Sequence, residues 1–294
     1  MLLSRLLVGV VLVGLSLAGC AKPPSHLPQP KPPASADANL ITGSIQQASL
    51  PMLQQPLPKR IFGNGHLGGR TLAVGATADI ILHPGEVILT FDDGPRPGKT
   101  DAILATLDDF GVKATFLMLG SAAQAHPALA QQVALAGNTV GSHTFDHRDL
   151  SGLTRQVALD EIAKGERAVA TALAGAGKLP SPFFRFPYLA QTGFLRTSML
   201  AGNVVVLDVD IDSKDYYKDT PETVVERTLA KLDARGSGII LFHDIHQRTV
   251  QLLPEFLAQL EARGYSVVRL VPKDQGVFGR DIITATVEGL RGTL

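Results

Sequence analysis

Tryptophan is absent from this chain of 294 residues, cysteine occurs once, and aromatics make up only 5% of it. One cysteine excludes any internal disulfide, so the fold has to rest on apolar packing. Excess charge is missing too, since 27 Lys and Arg offset 27 Asp and Glu. With no basic cluster or Arg-rich helix to break that balance, a nucleic-acid surface is not expected. No internal repeat is visible, and nothing marks a second folded domain.

Arg5 precedes an apolar stretch over residues 6–17 that is too short to span a bilayer comfortably. Leu17-Ala18-Gly19-Cys20 then sets small residues before the lone cysteine. That pattern resembles the bacterial lipobox, in which the cysteine is lipidated and becomes the mature N-terminus. The expectation is a lipoprotein signal peptide over 1–19 and membrane attachment through lipidated Cys20, with no spanning helix left after cleavage. An ordinary signal peptide with an incidental cysteine is the alternative. Ala21, rather than Asp, after the cysteine resembles lipoproteins sorted to the outer membrane of Gram-negative cells. The expected location is therefore the bacterial cell envelope, on the periplasmic side of the outer membrane. Residues 20–59 are rich in Pro, Ser, Ala and Gln and too poor in large apolar residues to offset their ordering entropy. They read as a semi-extended tether.

Residues 60–294, with a core over about 85–271, suit one α/β domain. Apolar runs at 87–91, 114–119, 139–143, 183–186, 204–209, 238–243 and 266–271 read as strands. Helical spacing of apolar residues marks 99–110, 127–136, 155–174, 221–235 and 249–263. Gly111, Gly137 and Gly264 follow three of these, where a left-handed residue ends a helix. Alternating strands and helices imply a parallel sheet covered by helices. About seven strands fit a distorted, incomplete (β/α) barrel, with an open sheet as the alternative. The Asp92-Asp93 pair, His143, Arg185, Asp210 to Asp215 and His243 all fall at or just past predicted strand ends. That is the rim where such folds assemble their sites.

Phe91-Asp92-Asp93-Gly94-Pro95 closes the first buried strand with two adjacent carboxylates. Crowded like charges raise each other's pKa unless a cation lies between them. His143-Thr144-Phe145-Asp146-His147 offers two imidazoles four residues apart. One Asp and two His could hold a divalent ion with open positions, leaving the second Asp as a base for water. Two solvated histidines on a loop, and an Asp that merely caps the helix from residue 99 or the Gly94-Pro95 turn, are the plainer readings. The helical zinc-protease motif is excluded, because Thr144 stands where its Glu must be.

Five segments occur in order: Thr90-Phe91-Asp92-Asp93-Gly94-Pro95, the His143–His147 segment, Arg185-Phe186-Pro187-Tyr188, Asp212-Ser213-Lys214-Asp215-Tyr216 and Leu241-Phe242-His243-Asp244. Together they resemble the NodB-type polysaccharide deacetylases, carbohydrate esterase family four. The resemblance implies Asp92 as general base, held by Arg185, and Asp93, His143 and His147 as ligands of one divalent ion. That ion is usually zinc, with cobalt, nickel or manganese as alternatives. It implies the Tyr188 backbone N–H as an oxyanion donor, Leu241 beside the acetyl methyl, and His243 as general acid oriented by Asp215. Leu189 stands where the family commonly has a small residue and Tyr216 where it commonly has Trp, so the loop and aromatic wall by the site are expected to differ in shape.

The implied function is metal-dependent removal of N-acetyl groups from a GlcNAc-containing polymer such as peptidoglycan, poly-GlcNAc or chitin-like oligosaccharides. An O-acetyl esterase using the same site, and a non-catalytic glycan-binding lipoprotein, are the competing readings. A binder, however, has no need of both a base and an acid.

Overall fold

A computed structural model describes residues 67–273. The proposed signal peptide, Cys20 and the tether lie outside the described residues. The strands are β1 (Gly68–Val74), β2 (Glu86–Asp92), β3 (Thr115–Met118), β4 (Thr139–Ser142), β5 (Phe183–Phe184), β6 (Val205–Val206), β7 (Ile211–Asp212), β8 (Gly238–His243) and β9 (Ser266–Pro272). The helices are α1 (Thr100–Asp109), α2 (Gly120–Ala125), α3 (Pro127–Leu135), α4 (Arg155–Ala174), α5 (Gly193–Ala201), α6 (Pro221–Arg235) and α7 (Gln247–Ala262). Every strand pair among the described residues is parallel.

β2 is central and buried along its whole length, and its side chains divide with the two-residue period of a strand. Val87, Leu89 and Phe91 face outward into a core shared with Ile103 and Leu107 of α1 and with Leu253 and Phe256 of α7. Phe91 stacks between Phe116 and Phe242 at 5.1 and 5.8 Å, which ties β3 and β8 to it. The alternate residues point inward: Ile88 joins an apolar interior cluster, Thr90 lies above it, and Asp92 ends the row. One strand thus runs from an apolar floor to a carboxylate rim.

β8 and β3 flank the end of β2, and β4, β5 and β6 continue outward from β3. β6 and β7 are successive pieces of one extended run. Leu207 N–H donates to Phe184 O on the β5 side, whereas Asp210 and Ser213 N–H donate to Ile239 and Leu241 O on the β8 side. No β6–β7 ladder closes the ring among the described residues, so the barrel is distorted and incomplete, as the sequence implied.

Nine strands rather than about seven are present among the described residues. β7 is missed because it is only Ile211 and Asp212, past the apolar run that ends at 209. β1 is missed because Gly68, Gly69 and Arg70 carry no apolar alternation. It pairs with β9, and together they contribute Val74, Val268 and Leu270 to the interior cluster. Thr139, at the start of β4, donates to Leu270 O, so this pair crosses the N-terminal ends of the strands and floors the barrel. Of the helices, α2 and α5 escaped the reading, α2 because Gly-Ser-Ala-Ala-Gln-Ala has no large apolar residue. Gly111, Gly137 and Gly264 do take positive φ, at 65°, 81° and 76°.

Candidate active site

The β4 end and the segment after it bring the imidazoles together. His143 is buried, and its Nδ1 lies 2.8 Å from Arg185 O, so the ring donates that proton and presents Nε2 as an acceptor. Burial lowers the His143 pKa, which favours this neutral form even against the nearby Asp92 and Asp93 charges. The following turn is gripped by two helices. Gly120 N–H and Ser121 Oγ of α2 donate to Thr144 O and Phe145 O, while Glu161 of α4 accepts from Asp146 N–H at 2.6 Å. Lys164 lies 3.4 Å over the Phe145 ring. α4 approaches so closely that a Cβ on Gly165 would lie 2.2 Å from the Thr144 carbonyl carbon.

Asp93 Oδ1 lies 3.6 Å from His143 Nε2 and 3.5 Å from His147 Nε2. That oxygen is buried and has no hydrogen-bond partner. The three ligand atoms lie within 4.8 Å of one another. A buried carboxylate oxygen left orphaned between two imidazole nitrogens fits a divalent cation with one O and two N donors. Neither Asp92 nor Asp93 caps α1, whose N-cap is Lys99 with no side-chain cap bond.

Asp92, 2% exposed, is held from behind. Arg185, 1% exposed, donates from Nη1 to Asp92 Oδ1 and Thr90 Oγ1, both at 2.8 Å, and from Nε to Leu207 O at 3.0 Å. Asp92 Oδ2 faces the site, 3.8 Å from His143 Nε2.

His243 ends β8 directly across from Asp92 in the ladder. Its Nδ1 lies 2.7 Å from Asp215 Oδ1, and the edge of the Tyr216 ring packs on it at 5.3 Å. Burial works to lower the His243 pKa, but the Asp215 hydrogen bond and charge, with Asp92 and Asp93 beyond, hold it up at about 9. Asp215 is fully buried, and despite that burial its pKa is lowered by His243 and by Thr249 Oγ1, which donates to Oδ2 at 2.6 Å.

These groups line one cavity of about 390 Å³, with Leu241, Tyr188, Leu189, Tyr216 and His246 completing the wall. Seven non-glycine residues have positive φ among the described residues, and six of them (Asp93, Thr144, His147, Tyr188, Leu189 and Lys214) sit in the loops around it. Backbone strain of this kind concentrates where geometry is specified by function.

A family model described as polysaccharide deacetylase matches residues 81–201. A chitin deacetylase of Colletotrichum lindemuthianum is 30% identical over 214 residues, covering 69% of this chain and 84% of that protein. The chain belongs to the polysaccharide deacetylase family. A peptidoglycan-N-acetylglucosamine deacetylase of Listeria monocytogenes is 32% identical over 184 residues, but these span 63% of this chain and only 38% of the relative. Among solved structures, the peptidoglycan deacetylase Bd3279 of Bdellovibrio bacteriovorus aligns with a TM-score of 0.61 and 34% identity, over 71% of this chain and 57% of that one.

The fold brings residues from all five of the segments that resemble polysaccharide deacetylases to one cavity. Asp92, Asp93, His143, His147, Arg185, Tyr188, Leu241 and His243 line it, with Asp215 directly behind His243. Asp210 is the exception to the shared rim. Its carboxylate accepts from Ile239 N–H near the start of β8 and pairs with Arg235 at the end of α6, away from the cavity. The departures from the family pattern are both at the mouth. Leu189 and Tyr188 are exposed, with the Tyr188 ring edge-on to His147 at 4.5 Å, and Tyr216 hydrogen-bonds Asp212 Oδ2 at 2.9 Å.

Several supports had no signal in the sequence. Thr249, Glu161 and Ser121 are ordinary helix residues until the fold places them. In the sequence Asp244 is only the last residue of the Leu241-Phe242-His243-Asp244 segment. It is buried, accepts from Thr100 Oγ1 at 2.6 Å, and lies so close that a Cβ on Gly94 would meet its Oδ2 at 2.0 Å. It thereby ties the turn after Asp93 to the strand that carries His243.

Proposed function

We propose that this chain removes N-acetyl groups from a GlcNAc-containing polysaccharide, releasing acetate and leaving a free amine on the glycan. The observation that carries this reading is a base and an acid at neighbouring strand ends, both lining one cavity. Asp92 has one oxygen bound by Arg185 and one facing the cavity, and His243 is held protonated by Asp215. The support from relatives is that the Listeria, Colletotrichum and Bdellovibrio proteins bear the names of peptidoglycan and chitin deacetylases.

Asp93, His143 and His147 would hold one divalent ion, zinc being the expected one, and when bound it would polarise the acetyl carbonyl and acidify water. Asp92 Oδ2 takes the proton from the water that attacks the carbonyl carbon. The Tyr188 backbone N–H faces the oxygen of the tetrahedral adduct, and Leu241 packs the methyl. As the carbon–nitrogen bond breaks, His243 gives its proton to the departing nitrogen. An amine is a poor leaving group without that proton, which is why an imidazolium raised by a carboxylate suits this step. Asp92 then loses its proton to solvent and His243 regains one from it, so both groups return to their starting states as acetate and the amine leave.

The N-terminal segment belongs to the same proposal. Lipidation at Cys20, supported by Leu17-Ala18-Gly19-Cys20, would anchor the chain in the envelope, and 20–59 would let the domain reach the glycan. Acetate release separates the readings. An N-deacetylase frees acetate from GlcNAc oligomers, chelation stops it, and His243→Ala abolishes it. An O-acetyl esterase would act on acetyl esters and largely survive His243→Ala, because an alkoxide leaves more readily than an unprotonated amine. No release from either substrate would leave the binder.

A further inference from the structure

Asp93 and His147 are walls of two hollows. On one side is the catalytic cavity. On the other is a cleft of about 560 Å³, within the range of ligand-binding clefts, and these two residues are all that the hollows share. A polymer with its acetamide in the first hollow must continue somewhere, and the second begins immediately past the Asp93–His147 divide.

The charges of the two ends differ. The far wall of the catalytic cavity carries Asp212, bound to the Tyr216 hydroxyl. The second cleft carries Arg96, and its one carboxylate among the described residues is Asp93, which is turned toward the imidazoles. The base of the Arg96 side chain is fixed: its backbone N–H donates to Thr100 Oγ1 at 2.7 Å, and its carbonyl accepts from Lys99 and Thr100 N–H. His126 adds a ring that can hydrogen-bond a ligand, and Leu119 gives an apolar patch. An exposed guanidinium on a pinned backbone, beside an imidazole and a small apolar surface, suits a sugar bearing an acidic substituent.

We infer that this cleft binds the sugar next to the one being deacetylated, and that Arg96 pairs with a carboxylate carried by that neighbour. The inference rests on the deacetylase reading and narrows its substrate to a glycan with acidic side groups, as opposed to a neutral homopolymer.

The test uses the full chain and three oligomers of matched length. One alternates GlcNAc with an N-acetylated sugar bearing a lactyl carboxylate, the second is the same with the carboxyl reduced to an alcohol, and the third is a neutral GlcNAc oligomer. The carboxylated oligomer is expected to lead in kcat/KM by about fivefold, chiefly through KM, with the lead shrinking as salt is added. Arg96→Gln removes the lead, whereas Lys178→Gln, on a different cavity, keeps it. Equal kcat/KM on the first two oligomers, or a lead that survives Arg96→Gln, overturns the inference while leaving the deacetylase reading intact. No acetate from any oligomer overturns that reading, and the inference with it.

Discussion

Asp215 holds His243 at two points: Oδ1 lies 2.7 Å from the ring Nδ1, and Oδ2 accepts from the His243 backbone N–H, also at 2.7 Å. One carboxylate therefore fixes both the position of the imidazole and the nitrogen that carries its inner proton. The outer nitrogen is left to face the cavity.

The pH dependence follows in sign. With the folded His243 pKa at about 9, the acid stays protonated through neutral pH, and amide hydrolysis falls as pH rises through about 9. The stability from this pair is fully present below about 6.5, the unfolded histidine value, and is lost as pH rises through the folded one. In Asp215→Asn the raising charge is gone and burial remains, so the descending limb moves to lower pH. Acetate release measured from pH 6 to 10 should fall at least about tenfold at pH 8 in that variant. A limb that stays in place would show that Asp215 does not set the acid.

Thr249 gives a subtler version of the same experiment. Its hydroxyl donates to Asp215 Oδ2 at 2.6 Å from the first turn of α7. Thr249→Val leaves that buried oxygen with one donor fewer, at a cost of about 1–3 kcal/mol in stability. Thr249→Ser retains the bond and should restore the pH profile more fully than the stability. Calorimetry paired with a pH–rate curve for both variants checks this.

Arg185 is expected to be intolerant of replacement. Three of its contacts converge on buried acceptors: Asp92, Thr90 and Leu207 O. Arg185→Ala strands the Asp92 carboxylate and should cost about 3–5 kcal/mol by denaturant unfolding. Arg185→Lys cannot reach all three acceptors from one ammonium, so it should recover little activity.

A methyl group placed between α4 and the imidazole turn tests how that turn is held. The Gly165→Ala Cβ would meet Thr144 backbone atoms at 2.2–2.3 Å, and backbone cannot rotate aside. The turn must shift, at about 1–3 kcal/mol of stability. Divalent-ion affinity should fall with it, because His143 and His147 flank Thr144. Unchanged affinity by titration calorimetry would mean that the turn is not positioned by α4.

The parts of this architecture that were legible in the sequence are those a short period or a short motif can encode. β2 and β8 announce themselves through unbroken apolar runs ending in Asp92 and His243. α4 and α6 carry both a Thr cap and helical spacing, and their residue limits agree with the structure. β1 did not show, because its paired edge leaves most of it exposed and its glycines carry no pattern. Asp210 looked like a rim residue because one strand was read where the chain hands over from β5 to β8. Thr249, Glu161 and Ser121 were invisible for a different reason. Each acts on a partner at least 15 residues away, through a contact that only the packing of α2, α4 and α7 creates.

The most direct test counts metal on the purified full chain by elemental mass spectrometry, after loading with zinc and desalting. One equivalent per chain is expected, lost in Asp93→Asn and in His147→Ala. It should be kept in Asp92→Asn, which should nonetheless release no acetate. A chain lacking Asp93 and both imidazoles that still retains a full equivalent would contradict the account.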